Sequence, residues 1–239
     1  QIVVVGNGMV GHHFVEQLHQ SDANVEITVL CGESRLAYDR VYLSSFFSGA
    51  SADDLALTTP AQYAEWGVNV VTNALVTDID RDNNKVTTSE GQVFSYDKLV
   101  LATGSYPFVP PIPGNDQEHC LVYRTIDDLL AIEASAAVSK VGVVVGGGLL
   151  GLEAANALKQ AGLDTHVVEF APQLMAVQLD QAGGNVLKDK IEALGVMVHT
   201  QKATQTIEAG DTCRYKMVFA DGTALETDMI LFSAGIRPS

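Results

Sequence analysis

The chain has 239 residues, 47% of them hydrophobic and 18% charged, which is enough to bury a core without help from disulfides. Its 14 Lys and Arg against 29 Asp and Glu give a formal net charge of −15, which argues against nucleic acid or an anionic membrane as a partner. The cysteines, Cys31, Cys120 and Cys213, form no CxxC pair, so we expect no metal site. An odd cysteine count and the lack of a basic leader before the first apolar residues favour a cytoplasmic protein without a signal peptide.

One pattern occurs twice, roughly 140 residues apart. Ile2–Val5 precedes one glycine-rich turn and Val141–Val145 precedes another, and both turns lead into apolar residues at helical spacing and a second apolar strand. Strand, turn, helix and strand in this order predict βαβ units with parallel sheets. The sequence therefore predicts an α/β fold with two Rossmann-like dinucleotide-binding domains, at residues 1–108 and 109–239.

Each turn has the spacing GxGxxG in the context where that spacing binds a dinucleotide pyrophosphate. The first glycine permits a tight turn, the second leaves room for phosphate, and the third lets the helix approach the strand. The free N–H groups of the helix N-terminus then bind the anion. These glycines are Gly6, Gly8 and Gly11 in the first turn and Gly146, Gly148 and Gly151 in the second.

An acidic residue follows each turn by about 20 residues, the offset at which a carboxylate binds a ribose 2′-OH. These residues are Glu33 and Glu169. No Arg or Lys follows Glu169 in residues 170–173, so we expect NADH to be preferred over NADPH. Two dinucleotide sites in one chain favour FAD paired with a nicotinamide coenzyme, because hydride can pass between them.

The rest of the chain predicts further local elements. A buried strand is expected over residues 99–104, and a helix containing Leu187, Ile191 and Leu194 is expected to end at Gly195. Asp221 and Gly222 predict a hairpin turn. The prolines in residues 107–113 predict a stiff connection between the two domains.

Four segments together resemble the flavoprotein reductases that have two dinucleotide-binding domains. They are the two glycine-rich turns, the strand end Ala102-Thr103-Gly104, and the segment Gly235-Ile236-Arg237-Pro238. Within that superfamily the resemblance is to the large subunit of the NAD(P)H-dependent assimilatory nitrite reductases, and it is carried by residues 6–12, 37–41, 43–45, 102–107, 123–129 and 169–175.

The resemblance implies a role for particular residues. Arg40 and Glu153 would lie near the flavin, and no metal ligand is implied. FAD would be bound by Gly6, Gly8, Met9, Val10, Gly11, Glu33, Arg40, Val76, Ala102, Thr103 and Gly104. NADH would be bound by Gly146, Gly148, Leu149, Leu150, Gly151, Glu169 and Gly235.

The resemblance also implies a function. The chain would be an NADH-dependent flavoprotein oxidoreductase in which hydride passes from NADH to FAD, with an FAD domain truncated at its C-terminus. Nitrite would be reduced to ammonia at a siroheme domain outside this chain. Siroheme and iron–sulfur clusters would belong to the full-length protein, and the partners would be downstream redox domains or a small subunit.

Two alternatives stay open. One is a stand-alone NADH:rubredoxin or ferredoxin reductase, although Ser45 stands where related ferredoxin reductases have a Lys that approaches the flavin. The other is an NAD-responsive flavoprotein that binds or regulates without turnover. Ser44 and Ser45 also occupy the region where disulfide reductases carry a reactive Cys, so no thiol chemistry is expected.

Overall fold

The computed structural model describes residues 1–21 and 23–239, which form two compact units. Unit 1 comprises Gln1–Ser45, Gly49–Ser105 and Pro238–Ser239. Unit 2 comprises Phe46–Ser48 and Tyr106–Arg237. The chain thus leaves unit 1 after residue 105, ahead of the predicted boundary at residue 108, and its last two residues return to unit 1.

The first half of the chain forms a parallel sheet, a small antiparallel sheet and the helices that accompany them. In chain order the elements are β1 (Ile2–Val5), α1 (Met9–Gln20), β2 (Ile27–Leu30), a 3₁₀ helix (Leu43–Ser48), α2 (Pro60–Glu65), β3 (Val68–Val71), β4 (Val76–Asp80), β5 (Lys85–Thr88), β6 (Val93–Ser95) and β7 (Lys98–Leu101). The parallel sheet has the order β3-β2-β1-β7, and β4, β5 and β6 form the antiparallel sheet.

Strand β1 is uniformly apolar because it is a central strand, paired in parallel with β2 on one side and β7 on the other. Val15 of α1 and Tyr63 of α2 pack with it in one buried cluster. The strand predicted over residues 99–104 is shorter and ends at Leu101. Gly104 adopts a φ of +69°, outside the extended region.

The second half repeats this plan with a larger sheet. Its elements are β8 (Ser105–Pro107), β9 (Cys120–Val122), α3 (Ile126–Ala136), β10 (Val141–Val145), α4 (Leu149–Gln160), β11 (Asp164–Val168), α5 (Gln181–Ala193), β12 (Val196–His199), β13 (Thr204–Ala209), β14 (Tyr215–Phe219), β15 (Ala224–Thr227), β16 (Met229–Phe232) and β17 (Ile236–Pro238). The parallel sheet has the order β12-β11-β10-β16-β9, and β13, β14 and β15 form an antiparallel sheet. Strands β8 and β17 form a two-stranded sheet.

The predicted α/β fold with two Rossmann-like halves is confirmed, and so is the hairpin, because β14 and β15 pair in antiparallel fashion around residues 221 and 222. The helix that was expected to end at Gly195 is α5, and its last residue is Ala193. Among residues 1–21 and 23–239, none of the helices combines the length and apolar character that crossing a bilayer requires.

The proline-rich segment, for which a stiff connection was predicted over residues 107–113, begins just after the junction of the two units and packs within unit 2. Val109 and Ile112 pack against the hydrophobic core of unit 2. The Pro113 carbonyl accepts a hydrogen bond from the Ile207 N–H at 2.9 Å, and the Asn115 side chain donates to a carbonyl of the same segment. The apolar side chains between the prolines gain more by burial than by exposure, so the segment forms part of unit 2.

Candidate functional site

The two glycine-rich turns have nearly the same geometry. Gly6 and Gly146 adopt φ values of +105° and +119°, which L side chains rarely adopt. A Cβ on Gly6 would lie 2.2 Å from the carbonyl oxygen of Ala102, and one on Gly146 would lie 2.2 Å from that of Ser233. In each unit the first glycine is therefore required by the approach of the neighbouring strand.

The middle glycines are different, because the described part of the protein does not need them. A Cβ on Gly8 would have the Arg40 Nε at 3.9 Å as its nearest neighbour, and one on Gly148 would meet no described atom within 4 Å. Both residues have extended backbones that any amino acid can adopt. Glycine at these positions leaves space beside the helix N-terminus, as a bound pyrophosphate requires.

The two helices that follow these turns lack the caps that the other helices have. In the described chain, α2, α3 and α5 each begin with a side chain that accepts a backbone N–H, from Thr59, Thr125 and Asp180 respectively. Helices α1 and α4 have Gly8 and Gly148 at their N-cap positions, with no capping side chain and no acidic residue in the first turn. Their first N–H groups are thus left for an anion, which the helix dipole also favours.

In unit 2 a cavity of about 880 Å³ opens beside the second turn. All seven residues that were expected to bind NADH line it, namely Gly146, Gly148, Leu149, Leu150, Gly151, Glu169 and Gly235. Much of the remaining wall is apolar, including Phe170 and Val177, which are 77% and 93% exposed. Glu153 does not line this cavity and is exposed on α4, so its expected place near the flavin stays a prediction.

Glu169 follows β11 and is held by the backbone. Its Oε2 accepts a hydrogen bond from the Gly147 N–H at 2.6 Å, and its Oε1 accepts one from the Ala171 N–H, also at 2.6 Å. Each carboxylate oxygen keeps a second lone pair, which is available to a ribose hydroxyl. The carboxylate is therefore positioned by the same turn that would bind the pyrophosphate.

A lysine lies near Glu169, although the sequence around that residue carries no cation. The N–H of Lys202 donates to the Glu169 carbonyl at 3.0 Å, and Lys202 lines the cavity. Its Nζ forms an ion pair with Asp221 and donates to the Thr223 Oγ1 at 2.8 Å. Lys202 follows β12, which is adjacent to β11 in the sheet although far from it in sequence, so the residues after Glu169 could not reveal this lysine. The expected preference for NADH stays a prediction.

In unit 1 the predicted residues Glu33 and Arg40 form an ion pair. The Tyr38 hydroxyl joins them: it donates to the Glu33 Oε2 at 2.7 Å and accepts from the Arg40 Nη1 at 2.9 Å. The guanidinium also lies over the Tyr38 ring, 4.6 Å from its centroid. The network orients a carboxylate and a cation beside the first turn, where they suit a ribose and a phosphate.

Asn7, which sequence analysis did not select, lies in the first turn and is buried. Its Oδ1 accepts a hydrogen bond from the Tyr63 hydroxyl at 2.8 Å, and the same hydroxyl lies 2.9 Å from the His12 Nδ1. Burial raises the pKa of Tyr63 well above its ordinary value and lowers the pKa of His12. Within the described residues the Asn7 Nδ2 has no hydrogen-bond partner, which leaves a buried donor in the turn.

The remaining residues expected to bind FAD have varied positions in unit 1. Ala102 contacts the first turn, and the next two residues, Thr103 and Gly104, are exposed. Val76 is half-buried and is the first residue of β4. Met9 and Val10 form the first turn of α1. The open middle glycine, the uncapped helix and the buried Asn7 donor all fit a dinucleotide at this turn.

Comparison with known proteins places these features in context. The sequence profile of the pyridine nucleotide-disulphide oxidoreductase family matches residues 1–239. The NADH nitrite reductase large subunit of Escherichia coli strain K12 is 54% identical over 241 residues, which is 100% of this chain and 28% of that protein. The chain thus spans about a quarter of the length of that relative.

Two solved structures are also similar. The water-forming NADH oxidase from Lactobacillus brevis, bound to NADH, has a TM-score of 0.92 and 25% identity over 100% of this chain and 54% of its own. A ferredoxin reductase from Rhodopseudomonas palustris has a TM-score of 0.90 and 25% identity over 98% of this chain and 58% of its own.

Proposed function

The chain belongs to the pyridine nucleotide-disulphide oxidoreductase family, and from that premise we propose that it is the portion of a nitrite reductase large subunit that binds NADH and FAD and through which electrons enter. The observation that carries the proposal is the cavity of unit 2, whose wall contains all seven residues expected to bind NADH. The 54% identity to the E. coli large subunit over the whole chain supports the choice among family members.

NADH is bound by unit 2 in this proposal. Gly148 and the N–H groups that begin α4 receive the pyrophosphate, and Glu169 accepts a hydrogen bond from the adenosine ribose. Gly235, which lines the same cavity, lies toward the nicotinamide. The apolar wall excludes water from the coenzyme.

FAD is bound by unit 1. Gly8 and the start of α1 receive its pyrophosphate, Arg40 balances the phosphate charge, and Glu33 binds the adenosine ribose. Met9, Val10, Val76, Ala102, Thr103 and Gly104 complete this set. When bound, FAD supplies the capacity to accept hydride from NADH and to release electrons singly.

The electrons are used outside this chain. We place the siroheme and the iron–sulfur clusters, and the reduction of nitrite to ammonia, in downstream domains of a longer cytoplasmic protein or its small subunit. No side chain of this chain is assigned as an acid or base. Its residues bind and orient the two dinucleotides.

Two alanine substitutions, one in each glycine-rich turn, test the proposal, and each serves as the control for the other. Because a Cβ at residue 148 or 8 meets no close described atom, Gly148→Ala and Gly8→Ala leave the fold intact and place a methyl group where each pyrophosphate must approach. Gly148→Ala weakens NADH binding on the order of tenfold or more and spares FAD, and Gly8→Ala does the reverse. NADH is measured by fluorescence titration and FAD by its absorbance after reconstitution. Equal effects of the two variants on both ligands would contradict the assignment.

A second candidate function is that of a ferredoxin or rubredoxin reductase. It is favoured by the similarity to the Rhodopseudomonas palustris ferredoxin reductase, which extends over 98% of this chain. The net charge of −15 opposes the docking of an acidic ferredoxin. NADH-dependent reduction of added ferredoxin or rubredoxin by the FAD-loaded chain, at a rate well above free flavin, would favour this candidate.

A further inference from the structure

One cation lines the cavity of unit 2, and its charge is already engaged. Within the described chain, Lys202 is the only Lys or Arg among the lining residues. Its ammonium pairs with Asp221, donates to the Thr223 Oγ1 at 2.8 Å and lies 5.4 Å from the centroid of the Phe219 ring. All three partners belong to the hairpin formed by β14 and β15, so the hairpin holds the ammonium.

The backbone of Lys202 is hydrogen-bonded to Glu169, the residue proposed to bind the adenosine ribose. The Lys202 N–H donates to the Glu169 carbonyl at 3.0 Å, and the Glu169 carboxylate stands where a ribose 2′-OH is bound in this type of fold. A 2′-phosphate at this place requires a cation. A lysine stem has four flexible carbons, so the ammonium can exchange one anionic partner for another.

We propose that Asp221 sets the coenzyme selectivity of the cavity by holding the Lys202 ammonium away from the 2′-phosphate of NADPH. This inference rests on the proposed binding of NADH by unit 2. Among the described residues, the only lining cation is paired with Asp221, and the Glu169 carboxylate accepts from backbone N–H groups and not from a cationic side chain. The cavity therefore disfavours the additional phosphate. Asp221 is thus a residue that determines specificity by positioning Lys202, without touching the coenzyme.

The substitution Asp221→Asn tests this mechanism. The Asp221 Oδ1 accepts from the Thr223 N–H at 3.0 Å and from its Oγ1 at 2.6 Å, and an asparagine keeps that oxygen while it removes the charge. We expect NADPH to bind on the order of fivefold more tightly to the variant and NADH affinity to change less than twofold. Both dissociation constants are measured by nucleotide fluorescence with the whole chain.

A matched control is Asp211→Asn. Asp211 pairs with Lys216 at 3.3 Å in the same unit, and neither residue lines the cavity. This variant removes one carboxylate from an ion pair without releasing a cation into the cavity. We expect the ratio of the NADPH and NADH affinities to remain that of the unsubstituted chain.

The double variant Asp221→Asn with Lys202→Gln separates attraction from repulsion. If the released ammonium binds the 2′-phosphate, the gain in NADPH affinity disappears in the double variant. If the gain persists, removal of Asp221 repulsion explains it and the proposal is overturned. An unchanged ratio in the single variant, with NADH still bound, also overturns it. If the unsubstituted chain binds neither coenzyme, the proposed function itself fails.

Discussion

Lowering the pH below about 6.5 is expected to destabilise unit 2 through two histidines on neighbouring strands. His166 lies on β11 and His199 ends β12, and their rings stack with centroids 5.2 Å apart at an interplanar angle of 11°. The His166 Nδ1 lies 3.0 Å from the His199 Nε2. A hydrogen bond between these atoms needs one nitrogen without a proton, so double protonation breaks it and places two cations together.

Burial lowers the pKa of both histidines. For His166 the neighbouring His199 lowers it further, and for His199 two nearby lysines do so. The charged groups facing the pair are Asp164, Lys188, Glu192 and Lys202. The two carboxylates oppose the shift, but desolvation is the largest cause for each histidine and the net direction is downward.

The sign of the effect follows from proton binding. Above pH 7.5 the pair is neutral in both the folded and the unfolded chain and contributes no pH dependence. Below about 6.5 the unfolded chain binds protons that the folded chain does not, so the free energy of unfolding falls as pH falls. The slope reaches about 1.4 kcal/mol per pH unit for each histidine that stays neutral, and about 2.7 kcal/mol for both.

Urea unfolding between pH 7.5 and 5.5 measures this slope by circular dichroism. The single Trp66 lies in unit 1, so its fluorescence separates the unfolding of that unit from that of unit 2. The double variant His166→Asn/His199→Asn and the single variant His199→Gln are expected to lose all or part of the pH dependence of unit 2. Parallel stability curves for the variants and the unsubstituted chain over this range would refute the reasoning.

Three further predictions concern buried or anchored polar groups. Glu169→Gln places an amide N–H₂ group opposite the Gly147 or Ala171 N–H, so NADH binding measured by titration weakens on the order of tenfold. Tyr63→Phe leaves the buried Asn7 Oδ1 without its donor and lowers the free energy of unfolding of unit 1 by about 1–3 kcal/mol, measured by tryptophan fluorescence in urea. The Asp228 carboxylate accepts from three backbone N–H groups. Burial raises the pKa of Asp228, but these hydrogen bonds outweigh it and hold the pKa below the usual value, and Asp228→Ala removes this acceptor. We expect a loss of about 2 kcal/mol in unit 2, measured by circular dichroism in urea.

Short sequence patterns predicted the parts of the fold whose conformation depends on neighbouring residues in the chain. Both glycine-rich turns, the strands before them and the hairpin at residues 221 and 222 follow from short segments with one favoured conformation. The parallel pairing of β10 with β11 is also predicted, because a strand, a helix and a second strand in succession form a right-handed βαβ unit. The fingerprint also indicated Gly146, Gly148, Gly151 and Glu169, which line the unit 2 cavity, whereas Leu149, Leu150 and Gly235 were expected only from the family resemblance.

The remaining features depend on elements that are distant in sequence. Lys202 reaches the cavity only because β12 lies beside β11, and Tyr63 reaches Asn7 only because α2 packs near the first turn. Neither residue belongs to a motif. The composition of the proline-rich segment predicts stiffness, but it does not reveal the core of unit 2 against which Val109 and Ile112 pack.

In the proposed function the two turns bind different dinucleotides, and their acidic residues are held in different ways. Glu33 is paired with Arg40, so the first site carries a cation 3.9 Å from the Cβ position of Gly8 and its carboxylate is neutralised. Glu169 is held by two backbone N–H groups, which fix the carboxylate but leave its full charge. The first site can therefore balance a pyrophosphate with a side chain. In the second, the only lining cation among the described residues is paired with Asp221, so we expect this site to rely on its helix N-terminus and to disfavour a ligand that brings another phosphate to the ribose.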